Sequence, residues 1–587
     1  MATLQRSAIF EAIQKHDANS TAVVHSDSGR SFKYGSILHD VAAAKDHLLR
    51  ATGKKEDGIA GERVAFLVEN GYDYVVTLLA VMGSNAIAVP LAPSFPASEL
   101  RYQLNHSGAL ALLHSDKFEK VAKEVLKEGI DASPVSVNVP KIAEREPIPG
   151  EQVTLSSPAE EKSGMMLYTS GTTARPKGVL LPQSVLAAQC KSLIKAWEYT
   201  PKDHLLHVLP LHHIHGTVNA LLTPLLAGST IEFMFPFNVD AVWKRFAAPF
   251  LPSSHESHKN LPAITFFTVV PTIWSRMLQT HPNLPKDMRI AADEAIQRKH
   301  LRLNISGSAA LPTPTKKKWT EASSGNVLLE RYGMTEVGMA LSCGLADEDR
   351  IDGSVGWPLP SVEARLVDPD TKEIIEHGQD EDGDGKQRSG EIQLRGPTIF
   401  KEYWNNEEAT KKEFTDDGWF KTGDIAVRKP VGGGQGASGD WAKGAAYFIQ
   451  GRKSADIIKT GGEKVSALEI EREMLSLPQV SEVAVVGLPS ETWGQKAAAI
   501  VVLSDEGKTA GKGGKAWGAL DMRRALHGKL VGYKIPQDLQ VVSSIKRNAM
   551  GKINKKELIV EVFGDQDRIR RRSIEVGEER KAAKEKV

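Results

Sequence analysis

Apolar and polar positions along this chain fall into blocks with two different periods. "RVAFLVENG" reads as a short apolar strand, "YDYVVTLLAVMGS" has the length and apolar spacing of a helix, and "NAIAVPLAP" is a second strand closed by prolines. Residues 60–93 are therefore one βαβ unit. Apolar runs of strand length recur at "ALALLHS" (109–115), "TIEFMF" (230–235), "AITFFTVV" (263–270), "RLNIS" (302–306) and "NVLLERYG" (326–333). Short apolar strands separated by helical spacers predict an α/β fold of mostly parallel sheets covered by helices. No repeat with the period of a solenoid or propeller is present.

Three blocks break this pattern: 376–390 ("EHGQDEDGDGKQRSG"), 430–444 ("PVGGGQGASGDWAKG") and 504–517 ("SDEGKTAGKGGKAW"). They are too polar and glycine-rich to bury a core and are expected to be mobile surface loops. After residue 452 the pattern restarts as a smaller α/β unit, with "EVAVVGL", "AAAIVVLS", a helical "LDMRRALHGKL" and a strand near "DLQVV". The expected division is a large N-terminal domain at 1–451, a small C-terminal domain at 452–562 and a charged tail at 563–587.

Composition narrows the class. A chain of 587 residues with 41% hydrophobic and 25% charged residues is ordinary for a globular enzyme. A net charge of +1 advertises neither nucleic acid nor an anionic membrane. Two cysteines, Cys190 and Cys343, cannot build a disulfide framework or a zinc cluster, so a reducing compartment is expected. No apolar run reaches the roughly 18 residues that span a bilayer. The N-terminus is a poor secretory or organellar signal and the terminal "KEKV" is no common address, which leaves cytoplasm or mitochondrial matrix open. Oligomeric state is not legible.

The stretch with the most chemistry is "MMLYTSGTTARPKG" (165–178). It is not a Walker A loop. Consecutive backbone N–H groups, Ser and Thr hydroxyls and Lys177 can still ring phosphate oxygens. The plain alternative is a polar surface turn, which clusters of Ser, Gly, Thr and Pro usually are.

The order of residues decides between them. "YTSGTTxxPKG" resembles the signature loop of the adenylate-forming superfamily, which includes acyl-CoA synthetases, peptide-synthetase adenylation domains and luciferases. The resemblance runs from about residue 20 to 560 through "RYGMTE" (331–336), "GWFKTGD" (418–424), "GRKSADIIKTGGEKVSALEIE" (451–471) and "NAMGKI" (548–553). It implies the fold: a large domain with a β-rich subdomain and a small, mobile C-terminal α/β domain. It also implies ATP, Mg²⁺ and CoA as cofactors and co-substrates.

Residue by residue, the resemblance implies a phosphate loop of Thr169, Ser170, Gly171, Thr172, Thr173 and Lys177. Tyr332 packs on adenine, with Ser308, Gly333 and Met334 around the nucleotide. Thr335 contacts the α-phosphate, and Glu336 with Thr172 holds Mg²⁺. The physics agrees: a flat ring supplies stacking area and a carboxylate a hard oxygen ligand. Asp424 and Arg452 take the ribose. Lys552 reaches the carboxylate–phosphate junction. Lys459, Gly461 and Gly462 face CoA. The small domain turns between two half-reactions. Here the hinge segment is one residue longer than in many relatives, which places the hinge within Lys453, Ser454 and Ala455. Ala174 stands where another glycine is expected. Alanine disfavours positive φ by about 1 kcal/mol, so the loop is expected to function with altered flexibility.

For the acid, "LPLHHIHGTVNALLTPLLAGSTI" (209–231) matches the family's acyl-pocket helix with its lead-in, His213 being the pocket-gating histidine. His215 sits where other synthetases often have an aromatic residue. A pocket with His215 and an arginine, Arg302, suits a small acid bearing a second carboxylate, because a guanidinium takes a carboxylate by a paired fork. These stretches look closest to malonyl-CoA synthetases of the mitochondrial type. The alternatives are a medium-chain or aryl acyl-CoA synthetase, an adenylation domain that charges a carrier, and a nucleotide-binding scaffold without catalysis. A carrier domain and its modifiable serine are not expected after Lys552, and a scaffold would be expected to lack Lys552, Glu336 or Asp424. Partners are expected to be small molecules alone.

Overall fold

The computed structural model describes residues 3–564 apart from Glu128, Ala132, 148–152, 157–159, 170–174, Gly462 and 548–552. Its frame is two large, mostly parallel sheets. In the first, strands run in the order Glu402–Tyr403, Lys177–Pro182, Gly164–Thr169, Ile87–Pro90, Arg63–Leu67, Ala111–His114 and Val135–Asn138. In the second, the central parallel strands are Leu329–Met334, Leu303–Ser306, Phe266–Val269, His204–His207, Thr230–Phe233 and Thr21–His25, with antiparallel strands at both ends.

Period-two alternation explains the layering. From strand Arg63–Leu67, Val64 and Phe66 enter one core while Ala65 and Leu67 enter another. The core containing Val64 and Phe66 also receives Val23, Leu205, Ile231 and Ile305 from the second sheet. Helix Tyr72–Gly83 lies between the two sheets and is buried along almost its whole length. A helix that is apolar all round needs such a place. Helices Ala97–Ser107 and Glu119–Leu126 cover the outer face of the first sheet through Leu100, Leu104, Ala122 and Val125. Trp243, Trp274 and Trp319 cover the outer face of the second. The expected helix-covered parallel sheets are present.

An antiparallel sheet of five strands follows, ending in Phe420–Lys429 and Ala446–Arg452. After it, strands Ile457–Thr460, Glu463–Ser466, Val480–Ser490, Gly494–Leu503 and Asp538–Val541 form a separate sheet over helices Ala467–Leu475 and Ala519–Leu526. This is the small C-terminal unit.

The inserts are more firmly held than their composition predicts. The Asp349 carboxylate, fully buried, accepts from the Gly434 N–H and from the N–H and hydroxyl of Ser438, pinning the 430–444 loop. The buried Arg428 guanidinium pairs with Asp380 in the 376–390 insert at 2.7 Å. Trp517 plugs the core of the small unit at the end of the 504–517 segment. One side chain anchored in a core fixes a loop that has no core of its own. Both cysteines are buried, and burial pushes each thiol up to about 12. Among the described residues, no helix is long and apolar enough to cross a membrane.

Candidate active site

Of the positions expected from the sequence, Thr169, Ser308, Thr335 and Glu336 lie at or just past the carboxyl ends of strands Gly164–Thr169, Leu303–Ser306 and Leu329–Met334, the usual place for ligands in such sheets. Strands Gly164–Thr169 and Lys177–Pro182 are antiparallel neighbours that set Thr169 opposite Lys177. Ser170, Gly171, Thr172, Thr173 and Ala174, which join them, lie outside the described residues. Tyr403 pairs with Val179, diagonal to Lys177 across the strands. That register brings the Lys177 ammonium to 4.0 Å from the Tyr403 ring centre.

The Tyr403 hydroxyl donates to Glu336 Oε1 at 2.9 Å, and the Phe400 N–H donates to the Glu336 carbonyl at 2.7 Å. Burial, then the Glu336 charge, holds the Tyr403 phenol far above the ordinary tyrosine range. Thr335 and Glu336 follow strand Leu329–Met334, whose Gly333 lies so near the Gly338 carbonyl that a Cβ would be 2.0 Å from it. The Tyr332 hydroxyl donates to Asp424 Oδ2 at 2.5 Å, and Arg452 Nε pairs with Asp424 Oδ1 at 2.9 Å. Strand register places Asp424 directly opposite Arg452. Tyr332, Asp424 and Arg452 thus form one cluster, as their expected shared ligand requires.

A second cluster adjoins it. His215 opens a stretch of π-helix, His215–Leu222, a form frequent at functional sites. Its Nε2 lies 2.7 Å from the Thr268 hydroxyl, and its Nδ1 lies 3.4 Å from Ser308 Oγ. Burial, then the Arg331 charge, keeps the imidazole well below the ordinary histidine range. Ser308 holds φ at 68° and accepts from Arg331 Nη2 at 3.3 Å. Arg331 lies flat against Gly307, where a Cβ would be 2.4 Å from Nε. The arginine is 4% exposed. Its Nε has no hydrogen-bond partner and it makes no ion pair among the described residues. Burial draws the guanidinium down from the ordinary arginine range. His213, packed ring to ring with His212 at 4.1 Å, lines a small cavity with Tyr168, Pro176 and Phe95.

Arg302 belongs elsewhere, which corrects the sequence reading. It precedes strand Leu303–Ser306, whereas Ile305 is level with Thr268, the partner of His215. Three residues of strand put Arg302 about 10 Å toward the opposite edge. There it grips Asp203 with Nε at 2.7 Å and Nη2 at 2.6 Å, and donates to the carbonyls of Trp197 and Glu198. Its donors are committed to structure.

In the small unit, Lys459 is exposed on a hairpin strand, and Gly461 at φ 58° turns the hairpin beneath the Trp493 ring. Gly462 and Lys552 lie outside the described residues. Of the hinge candidates, Lys453 reaches Glu391 at 3.7 Å, and Ala455 closes a turn onto the Arg452 carbonyl. Sequence reasoning missed Tyr403 and treated Arg331 only as a letter of the "RYGMTE" motif. No signal marked Tyr403 beyond an aromatic residue beside a short apolar run.

The profile of the AMP-binding enzyme family matches residues 9–404, and that of the AMP-binding enzyme C-terminal domain matches 469–552. The chain belongs to the AMP-binding enzyme family. A relative from Gibberella moniliformis named "CoA ligase" is 60% identical over 98% of this chain and 97% of its own length. A mitochondrial malonate–CoA ligase of Homo sapiens is 40% identical over 85% of this chain and 82% of its own length. The ATP-bound MatB from Rhodopseudomonas palustris has a TM-score of 0.75 at 29% identity, covering 95% of this chain and 99% of that one. This AMP-binding enzyme therefore has the same two-part fold as solved members.

Proposed function

We propose that this AMP-binding enzyme joins malonate, or methylmalonate, to CoA: acid, ATP and CoA give the acyl-CoA, AMP and pyrophosphate through an acyl-adenylate. The coarser activity, that of an AMP-forming acyl-CoA ligase using ATP, Mg²⁺ and CoA, follows from family membership and from the CoA ligases it resembles.

The observation that carries the choice of acid is Arg331, a buried guanidinium beside His215 and Ser308 with no carboxylate partner among the described residues. A buried unpaired cation is unfavourable, and a substrate carboxylate relieves it. A neutral acyl tail offers no such relief. The relatives named malonate–CoA ligase agree with this.

Carboxylate attack on the α-phosphate converts a poor leaving group, oxide, into a good one, AMP. Thr169 and Lys177 flank the phosphates and Tyr332 stacks on adenine. Asp424, fixed between Tyr332 and Arg452, takes the ribose hydroxyls. Thr335 contacts the α-phosphate and Lys552 approaches the junction. Glu336 fits Mg²⁺, which commonly uses one or two carboxylates together with substrate phosphates, and no larger metal-ligand cluster exists among the described residues. When bound, the ion neutralises phosphate charge. Lys459, Gly461 and Gly462 serve CoA in the second half-reaction, and His213 borders the acyl pocket.

The test replaces Arg331 by Met and compares kcat/KM for malonate, methylmalonate and butyrate. Loss of a charged hydrogen bond of about 1.5–3 kcal/mol corresponds to a fall of roughly 10- to 150-fold for the diacids, with butyrate unchanged or improved. Equal preference for malonate in both proteins would sink the reading.

A further inference from the structure

Tyr403 touches two groups that serve the nucleotide yet lies in none of the motifs that contain them. Its hydroxyl holds Glu336 Oε1 at 2.9 Å, and its ring carries the Lys177 ammonium at 4.0 Å. The tyrosine itself is fixed. Its strand pairs with Lys177–Pro182, its N–H donates to the Thr410 hydroxyl at 3.0 Å, and its ring packs on Phe400. Phe400, three residues earlier, donates its N–H to the Glu336 carbonyl. The segment 400–403 therefore clasps the stem of the phosphate loop and the acid after strand Leu329–Met334.

We infer that Tyr403 is a positioning residue that couples the Mg²⁺ ligand Glu336 to the phosphate-loop Lys177. A carboxylate with one oxygen fixed can present the other in only a narrow range of directions. A hard cation with demanding octahedral geometry rewards that restriction. An ammonium over an aromatic face is attracted by the ring quadrupole, which holds Lys177 on the Tyr403 ring. The phenol thus holds a cation on its ring and an anion on its hydroxyl. The inference rests on the nucleotide half of the reading above and is indifferent to the acid, so a failed malonate assignment leaves it standing.

The measurement is equilibrium binding of ATP by calorimetry, with Mg²⁺ and with a chelator, on the full chain without acid or CoA. Tyr403→Phe keeps the ring and removes the hydroxyl. The gain in ATP affinity from Mg²⁺ is expected to shrink about tenfold, with chelator-side affinity within about twofold of wild type. Tyr403→Leu also removes the ring and is expected to weaken chelator-side binding severalfold. In a Glu336→Gln background, Tyr403→Phe is expected to change nothing further, because the group it positions is gone. An equal effect of Tyr403→Phe in both backgrounds overturns the proposal, as does an equal loss with and without Mg²⁺. Loss of a cooperative thermal transition in Tyr403→Phe would assign the phenol to packing and overturn it too.

Discussion

Removing the Arg302 side chain leaves Asp203, 3% exposed, without its paired guanidinium. Breaking a buried pair from one side usually costs 3–5 kcal/mol. Arg302 is about one-third exposed, so about 2–3 kcal/mol is expected for Arg302→Ala, read as a lower urea midpoint, with acid preference unchanged. The contrast with Arg331 shows where sequence reading stops. Both arginines stand beside apolar strand residues. Only strand register tells which precedes its strand and which sits near the carboxyl edge, and register is set by partners remote in sequence. Motif residues were easier, because Tyr332, Glu336 and Asp424 come with neighbours that fix local geometry. Tyr403 has no such neighbours; its role exists only through cross-strand pairing.

At the scale of elements, the parallel strands were legible from period and length, and the boundaries shifted by a few residues. "AITFFTVV" forms a strand only over Phe266–Val269, because pairing ends where neighbouring strands end. The block at 209–231 gave apolar spacing without revealing the π-turn that opens it at His215. Gly216 permits that turn, since a Cβ there would be 2.3 Å from the Pro210 carbonyl. Strand Thr230–Phe233 carries a buried charge whose effect depends on pH. Burial alone would raise Glu232, but hydrogen bonds from His204 and Arg245 outweigh it and hold the carboxyl down at about 2 instead of 4.5. A carboxyl depressed in the folded state contributes its stability fully above about pH 4.5 and loses it as pH falls toward 2. The shift corresponds to about 3 kcal/mol. Urea unfolding of Glu232→Gln is expected to show at least that deficit at pH 7, narrowing below pH 4.5.

Across the whole molecule, the polar contacts between the small unit and the body among the described residues include a hydrogen bond from the buried Ser466 hydroxyl to the Gln450 carbonyl at 2.5 Å, and several exposed ones. Lys386 pairs with Glu463 at 2.7 Å, Lys464 pairs with Asp370, and Arg472 donates to the Gly353 carbonyl at 3.5 Å. The Lys386 side chain is 62% exposed. Exposed pairs of this kind contribute little to stability and weaken in salt. The exposed part of this seam is therefore expected to loosen as salt is raised, read as faster protease cleavage near residue 453. The sequence announced the insert that supplies Lys386 as a loop, but not that the loop reaches the hairpin carrying Glu463.

The two buried sulfhydryls carry a consequence for chemistry in the surrounding solution. A thioester-forming enzyme works in the presence of a reactive thiol, and any accessible thiolate of its own would exchange with that thiol or capture the activated acyl group. Cys190 and Cys343, protonated and enclosed, do neither. The native protein is expected to resist maleimide until denaturant exposes it, so labelling would report global opening. A single cysteine introduced on the small unit would then be the sole reactive handle, and a dye placed there would report whether that unit moves during turnover without removing a native residue.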